Sequence, residues 1–172
     1  SGARIFAFCV IPFIILATLN SGGYRYGASD QAFYIPAILA QLDPALFPRD
    51  GVVLGGQTKL TLIDELIASL VRATGATLPA MSAILYGLAL LLFAVGAWMI
   101  GRRLYTSPWT SVALLAALTL RHAIARSGTN TLEGYFHPRT LAYALGVLAI
   151  AFFLRRSLLG AAALLAIGVA VH

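Results

Sequence analysis

The sequence predicts an all-α fold, a polytopic transmembrane helix bundle of about five spans with a large outer loop carrying short amphipathic helices. Composition, span-length apolar runs and the placement of charge carry that prediction. Of the 172 residues, 60% are hydrophobic when Tyr is counted. Recounted with the 16 Gly and without the 7 Tyr, the apolar share is about 65%, against ~45–50% in soluble domains. Charged residues make up 10%, where soluble domains carry ~25%. A water-soluble globule of this composition cannot cover itself, which excludes a cytosolic enzyme and a disordered tail. Cys9 is the only cysteine, so a disulfide scaffold is excluded as well. The net charge of +6 comes from Arg and the single Lys59 against six acids. These basic residues are dispersed between apolar runs and form no basic face, which argues against nucleic acid as a partner. Anionic lipid headgroups or a phosphate-bearing substrate fit so much Arg better.

Five stretches approach the ~20 apolar residues that cross ~30 Å of hydrocarbon. They are residues 5–19, 78–100, 108 to about 125, 138–154 and 158–172. The first is followed by the turn Asn20-Ser21-Gly22-Gly23-Tyr24 and not by a small-residue cleavage site, so it reads as a span and not a signal peptide. The chain opens on Ser1 and stops at His172 directly after an apolar run, which reads as the N-terminal part of a longer protein with one transmembrane domain over residues 1–172.

Within residues 20–77, Ser29-Asp30 opens a helix whose face carries Asp30, Phe33, Tyr34, Ala37, Ile38 and Gln41. Pro36 should kink it or split it in two. Asp43-Pro44 and Pro48-Arg49-Asp50-Gly51 are turn signals, which gives Asp50 a turn-forming role beside its candidacy as a ligand. A second helix over 62–74 is predicted with Thr61 as N-cap and Asp64 three residues on. Its stripe of Ile63, Leu66, Ile67, Leu70 and Val71 suits the membrane interface, apolar face down, with Asp64, Glu65 and Arg72 off the stripe. Packing against the spans from outside would give the same periodicity.

The third span is short of apolar residues. Thirteen apolar-rich positions end at Arg121-His122, and continuing the helix to Arg126 places Arg121 and His122 at membrane depth, facing a wet cavity. His122 and Arg126 would then share a helix face. The fourth opens with His137-Pro138-Arg139-Thr140, with Pro at the first helical position and His137 near the cap. A helix N-terminus with free N–H groups and an Arg fork beside it is what a phosphate requires. Glu133 is near enough in sequence to neutralise one Arg. The three His are too far apart to specify a metal, and the sequence leaves the use of a divalent cation open.

Arg4, Arg102-Arg103 and Arg155-Arg156 lie in short loops and point to the cytoplasm. The N-terminus is then cytoplasmic and the long loop outside, with a bacterial inner membrane as the expected location. With five spans, residues 20–77, 121–137 and 172 share one side. All six acids, all three His and Lys59 fall there. A face that collects every carboxylate and imidazole is a candidate for chemistry.

Three segments carry a family resemblance. Tyr26-Gly27-Ala28-Ser29-Asp30-Gln31-Ala32-Phe33-Tyr34-Ile35-Pro36, then Leu46-Phe47-Pro48-Arg49-Asp50, then Tyr135-Phe136-His137-Pro138-Arg139 resemble the GT-C membrane glycosyltransferases, over most of the chain but only the N-terminal portion of that fold. The resemblance implies a sugar donor on a polyprenyl phosphate and an acidic residue of the first outer loop, here Asp30, as general base on the acceptor. Where family members often pair two acids, this chain has Gln31. The phosphate ligands follow from the site reading, with Arg139 first and Arg126 and Arg121 after it. His137, His122, Tyr34, Asp50 and Glu133 complete the candidate substrate-binding set. Two other functions remain open: a transporter or flippase of an anionic lipid-linked substrate, and a non-catalytic assembly subunit docking through helix 62–74.

Overall fold

The computed structural model describes residues 2–58, 61–126 and 129–172. Lys59, counted above on the outer face, lies outside the described residues. In chain order the elements are α1 (Gly2–Asn20), α2 (Gln31–Leu42), α3 (Gly51–Thr58), α4 (Ile63–Thr74), α5 (Leu78–Leu104), α6 (Pro108–Leu118), β1 (Ala123–Ile124), β2 (Thr129–Asn130), α7 (Pro138–Leu154) and α8 (Leu158–Val171). The strands form one antiparallel ribbon, Ala123 opposite Asn130 and Ile124 opposite Thr129.

Two helices, α1 with 19 residues and α5 with 27, are long and apolar enough to cross a membrane. The five spans expected from the sequence are not met by length. The helices α6, α7 and α8 have 11, 17 and 14 residues, which at ~1.5 Å per residue falls short of ~30 Å.

The third stretch departs most from expectation. Its helix ends at Leu118, not near 125. The Thr119 hydroxyl folds back to donate to the Ala116 carbonyl at 2.7 Å, and Asn20 Nδ2 donates to the Thr119 carbonyl at 3.0 Å. With those groups satisfied the chain turns outward into the ribbon. Arg121 and His122 are exposed there and not buried at membrane depth, and Arg126 has a φ of 64°. His122 and Arg126 therefore share no helix face. The desolvation cost of two polar side chains decides the matter against apolar continuity.

The helices α5 and α7 run parallel in close contact. A Cβ on Gly96 would lie 2.9 Å from both the Leu148 nitrogen and Val147 Cγ1, so the backbones meet there and only Gly fits. At their shared C-terminal end, Arg103 Nε donates to the Leu154 carbonyl at 3.1 Å. The start of α1 reaches the same end, where Gly2 approaches Trp98 and Arg102. At the opposite end lie Asn20 against Thr119, and His137 against His172. All six acids lie in segments joined at this opposite end.

The outer segments pack on the bundle. Ile63, Ile67 and Ala68 of α4 are buried against α2 and α5, so this face of α4 packs on protein, the second of the two arrangements that its periodicity allows. Its buried face is turned by one position from the expected stripe: Leu66 is 45% exposed, and Asp64 is 1% exposed. Thr61 does not cap it. The N-cap position is Leu62, without a side-chain bond. The Leu62 amide instead donates to the Ala170 carbonyl at 3.0 Å, an acceptor that the end of α8 leaves without an intrahelical partner. The helix α2 continues through Pro36 without splitting. Its buried positions are Gln31, Ala37 and Ile38, while Phe33 is exposed. The turn at residues 48–50 leads into α3, a helix the sequence reading did not foresee.

Candidate functional site

The segment before α7 carries the site. Pro138 at N1 cannot donate and loses nothing there, and its ring fixes the φ at which α7 begins. His137 is the N-cap, with its side chain accepting the Arg139 amide. The contact runs from Arg139 N–H to His137 Nδ1 at 2.9 Å. Nδ1 therefore carries no proton, and the ring's single proton sits on Nε2. That nitrogen lies 3.1 Å from Asp30 Oδ2 and donates to it.

Burial, then the Arg139 guanidinium, push the His137 pKa down, against the opposing pull of Glu133 and Asp30. The ring is neutral at neutral pH, which agrees with the tautomer that the cap requires. The His137 side chain is 2% exposed and that of Asp30 46%. The imidazole is thus a strut, and the acid it holds is the group presented outward. Both ring nitrogens are engaged, and the Asp30 carboxylate is the exposed acid of the pair.

Asp30 is held from below by its neighbour. Gln31 is buried, with its Oε1 accepting the Gly27 amide at 2.7 Å and its Nε2 donating to the Phe136 carbonyl at 3.0 Å. An acid here would lose the donor to Phe136. Gln31 is a tether between the start of α2 and the His137 segment, which explains why an amide stands beside Asp30. A second tether joins the same strands of chain, where Arg25 N–H donates to the Gly134 carbonyl at 2.7 Å. A Cβ on Gly134 would sit 2.2 Å from the Gly23 carbonyl oxygen, so this approach admits only Gly.

The Arg139 backbone is bonded to the imidazole, and its side chain turns to Glu133. Its Nη2 donates to Glu133 Oε1 at 2.8 Å, leaving Glu133 Oε2 buried without a hydrogen-bond partner. The Tyr34 ring stands edge-on to His137 with centroids 5.4 Å apart. Burial first, then the Asp30 and Asp64 charges, raise the Tyr34 pKa, so its phenol stays protonated and can donate. The His172 ring also meets His137, at 5.8 Å between centroids. From Arg139 and His172 an open groove of about 530 Å³ runs down α7 past Tyr143, Gly146, Val147 and Ile150, walled by Leu165 of α8.

The structure therefore unites Asp30, Tyr34, Glu133, His137 and Arg139. It does not bring in the rest of the expected set. Arg121, His122 and Arg126 are exposed on or beside the ribbon, and among the described residues none is bonded to Asp30, His137 or Arg139. Asp50 is exposed in the turn before α3. Two members escaped the sequence reading. His172 belongs to the last span by position, and nothing in its local pattern signals the return to His137. Asp64, expected off the buried stripe of its helix, has both carboxylate oxygens buried and, among the described residues, without a hydrogen-bond partner, in a small cavity lined by Gln31, Tyr34, Ser82 and Pro138. Its place one turn from buried Ile67 and Ala68 was the available signal.

Among the described residues no three His, Cys, Asp or Glu side chains converge as a metal-ligand set. The cap at His137 supplies a testable stability effect. His137→Asn retains an N-cap acceptor and His137→Ala does not, while both release Asp30. The Asn variant is expected to be about 1 kcal/mol more stable than the Ala variant, read as a difference in Tm in detergent. Equal Tm values would show that the Nδ1 cap contributes nothing.

No protein-family model, curated protein or solved structure matches this chain.

Proposed function

We propose that the protein is a membrane glycosyltransferase of the GT-C kind, transferring a sugar from a polyprenyl-phosphate donor to an acceptor hydroxyl on the non-cytoplasmic face. The observation that carries this reading is one buried imidazole bonded through Nε2 to the Asp30 carboxylate and through Nδ1 to the Arg139 amide, with Arg139 itself at the head of an apolar groove. The groove offers α7 and α8 side chains to an isoprenoid tail. Arg139, beside the α7 N-terminus, offers its remaining donors to the phosphate.

In the proposed reaction Asp30 Oδ1, which accepts only a long 3.5 Å bond from the Ser29 hydroxyl, takes the proton of the acceptor hydroxyl. The acceptor oxygen forms the new bond to the anomeric carbon as the bond from that carbon to the phosphate oxygen breaks, and the lipid phosphate leaves with the electron pair. Arg139 then faces the charge that develops on the leaving group. The bundle lies in a bacterial inner membrane, with α7 and α8 alongside the long α5. Arg4, Arg102, Arg103, Arg155 and Arg156 gather at the end placed in the cytoplasm, and the Asp30 end faces outward, where lipid-linked sugars are presented. The wider outer rim, with Arg121, Arg126, His122 and Asp50, meets headgroup or acceptor in this reading. A divalent cation is not required by it.

The test is sugar release from polyprenyl-phosphate donors by the purified protein in detergent. Arg139→Ala is expected to weaken donor affinity at least tenfold, in line with the ~1.5–3 kcal/mol of a hydrogen bond to a charged group. Because this variant also strands Glu133, Arg139→Ala/Glu133→Gln is measured beside it and should show the same loss. Donor binding that depends on Arg139 without any turnover would favour a carrier or flippase of the same lipid. No binding of any donor would end the reading.

A further inference from the structure

The opposite end of the bundle holds a second polar cavity, which the transferase reading does not use. It measures about 350 Å³ and is lined by Arg102, Arg103, Arg155 and Arg156 over Met99. Local sequence explains half of this arrangement. Arg102 and Arg103 occupy the last turn of α5, where the negative end of the helix dipole favours cations. Arg155 is the C-cap of α7, and Arg156 follows in the left-handed region with a φ of 63°. A non-glycine residue there is strained, because its Cβ crowds the following carbonyl oxygen. The parallel packing of α5 and α7 supplies the other half by bringing the two pairs to one place.

The six acids lie in segments at the far end, and among the described residues no ion pair involves any of the four guanidiniums. Two are instead held by backbone carbonyls: Arg102 Nη1 donates to Thr106 O at 2.8 Å, and Arg103 Nε to Leu154 O at 3.1 Å. Each of these contacts uses one of a guanidinium's five N–H donors and fixes the direction of the rest. Tyr105 and Trp109, 50% and 68% exposed, flank the same end. Such aromatics sit at headgroup level in membrane proteins.

We infer that the Arg102–Arg103–Arg155–Arg156 cavity is a binding site for a diphosphate-bearing anion. Two arginine pairs from two helix ends match two phosphate groups, each taken by planar guanidinium forks. The size of the cavity is within the ~300–1,000 Å³ of ordinary ligand sites. A phospholipid headgroup with two phosphates and a free diphosphate share this chemistry. The inference does not depend on the transferase reading, since none of its residues touches the Asp30 site.

The experiment uses the full chain purified in detergent. Two probes are offered, diphosphatidylglycerol in phosphatidylcholine mixed micelles, scored by native mass spectrometry, and inorganic pyrophosphate, scored by calorimetry. Arg103→Gln/Arg155→Gln is compared with Arg25→Gln/Arg49→Gln, which removes the same charge from the other end. The expected result is at least a tenfold loss of probe binding for the first pair and less than twofold for the second. Binding of the lipid alone assigns a headgroup site, and binding of pyrophosphate with the same Arg dependence assigns a soluble ligand. Should Arg103→Gln disturb the contact to Leu154 and lower Tm, Arg102→Gln/Arg156→Gln provides the same comparison. Equal losses in the two ends' variants, or no binding of either probe, would overturn the inference.

Discussion

On the proposed transferase reaction, replacing Asp30 with Asn is expected to lower sugar transfer by about 10²- to 10⁴-fold, the range that positioned base catalysis contributes, while donor binding stays within about threefold of wild type. The split between the two is the diagnostic. Asp30 accepts from His137 Nε2 at 3.1 Å through one oxygen, and an Asn side-chain oxygen can still accept that bond. The variant therefore keeps the strut, the α7 cap and Arg139 in place, and it removes only the capacity to take a proton. Single-turnover rates and donor affinity measured on the same preparation check this. Unchanged turnover would remove Asp30 from the chemistry, and a parallel loss of donor affinity would make it a binding residue.

Asp64→Asn is expected to stabilise the protein, by about 3 kcal/mol above pH 7, because a shift of one pKa unit corresponds to about 1.4 kcal/mol. Burial first, and the Glu65 charge second, raise the Asp64 pKa from 3.8 to about 6. The side chain is 1% exposed and neither oxygen has a hydrogen-bond partner. Its position in the first turn of α4 recovers only part of that cost. The folded state holds the proton more tightly than the unfolded state, so the contribution of Asp64 to wild-type stability is most favourable below about pH 4. It falls as pH rises from about 4 to about 6, and is level above that. The Asn variant lacks this slope. Denaturant midpoints in detergent at pH 4 and pH 8 should therefore converge at the acid end and separate at the alkaline end. A variant less stable than wild type at pH 8 would show that the carboxylate has a compensating partner in the native protein.

Much of the bundle was legible in the residues. The apolar stretches at 5–19, 78–100, 138–154 and 158–172 fall on α1, α5, α7 and α8, since a long apolar run offers its backbone no polar partner outside itself and a helix satisfies it internally. The N-cap at His137 and Pro138 at N1 were readable because capping is a contact within three residues. Asp30, Tyr34, Glu133 and Arg139 were readable as one-sided, and parity was the whole of the argument.

What decided the site lies beyond local pattern. The helix at 108 stops at Leu118 because Asn20, 99 positions earlier, takes the Thr119 carbonyl. That long-range bond places Arg121 and His122 in a ribbon and removes them from the site. The rotation of α4 follows from the Leu62 amide meeting the end of α8, and periodicity within α4 cannot report a partner that distant. The tautomer of His137 depends on two bonds that only the folded chain brings together. Sequence by itself determined which residues are apolar, where helices begin and which polar groups share a side. Tertiary structure alone determined which of those groups meet, because an imidazole and a carboxylate 107 residues apart are joined by the packing of α2 on the bundle and by no feature of either segment.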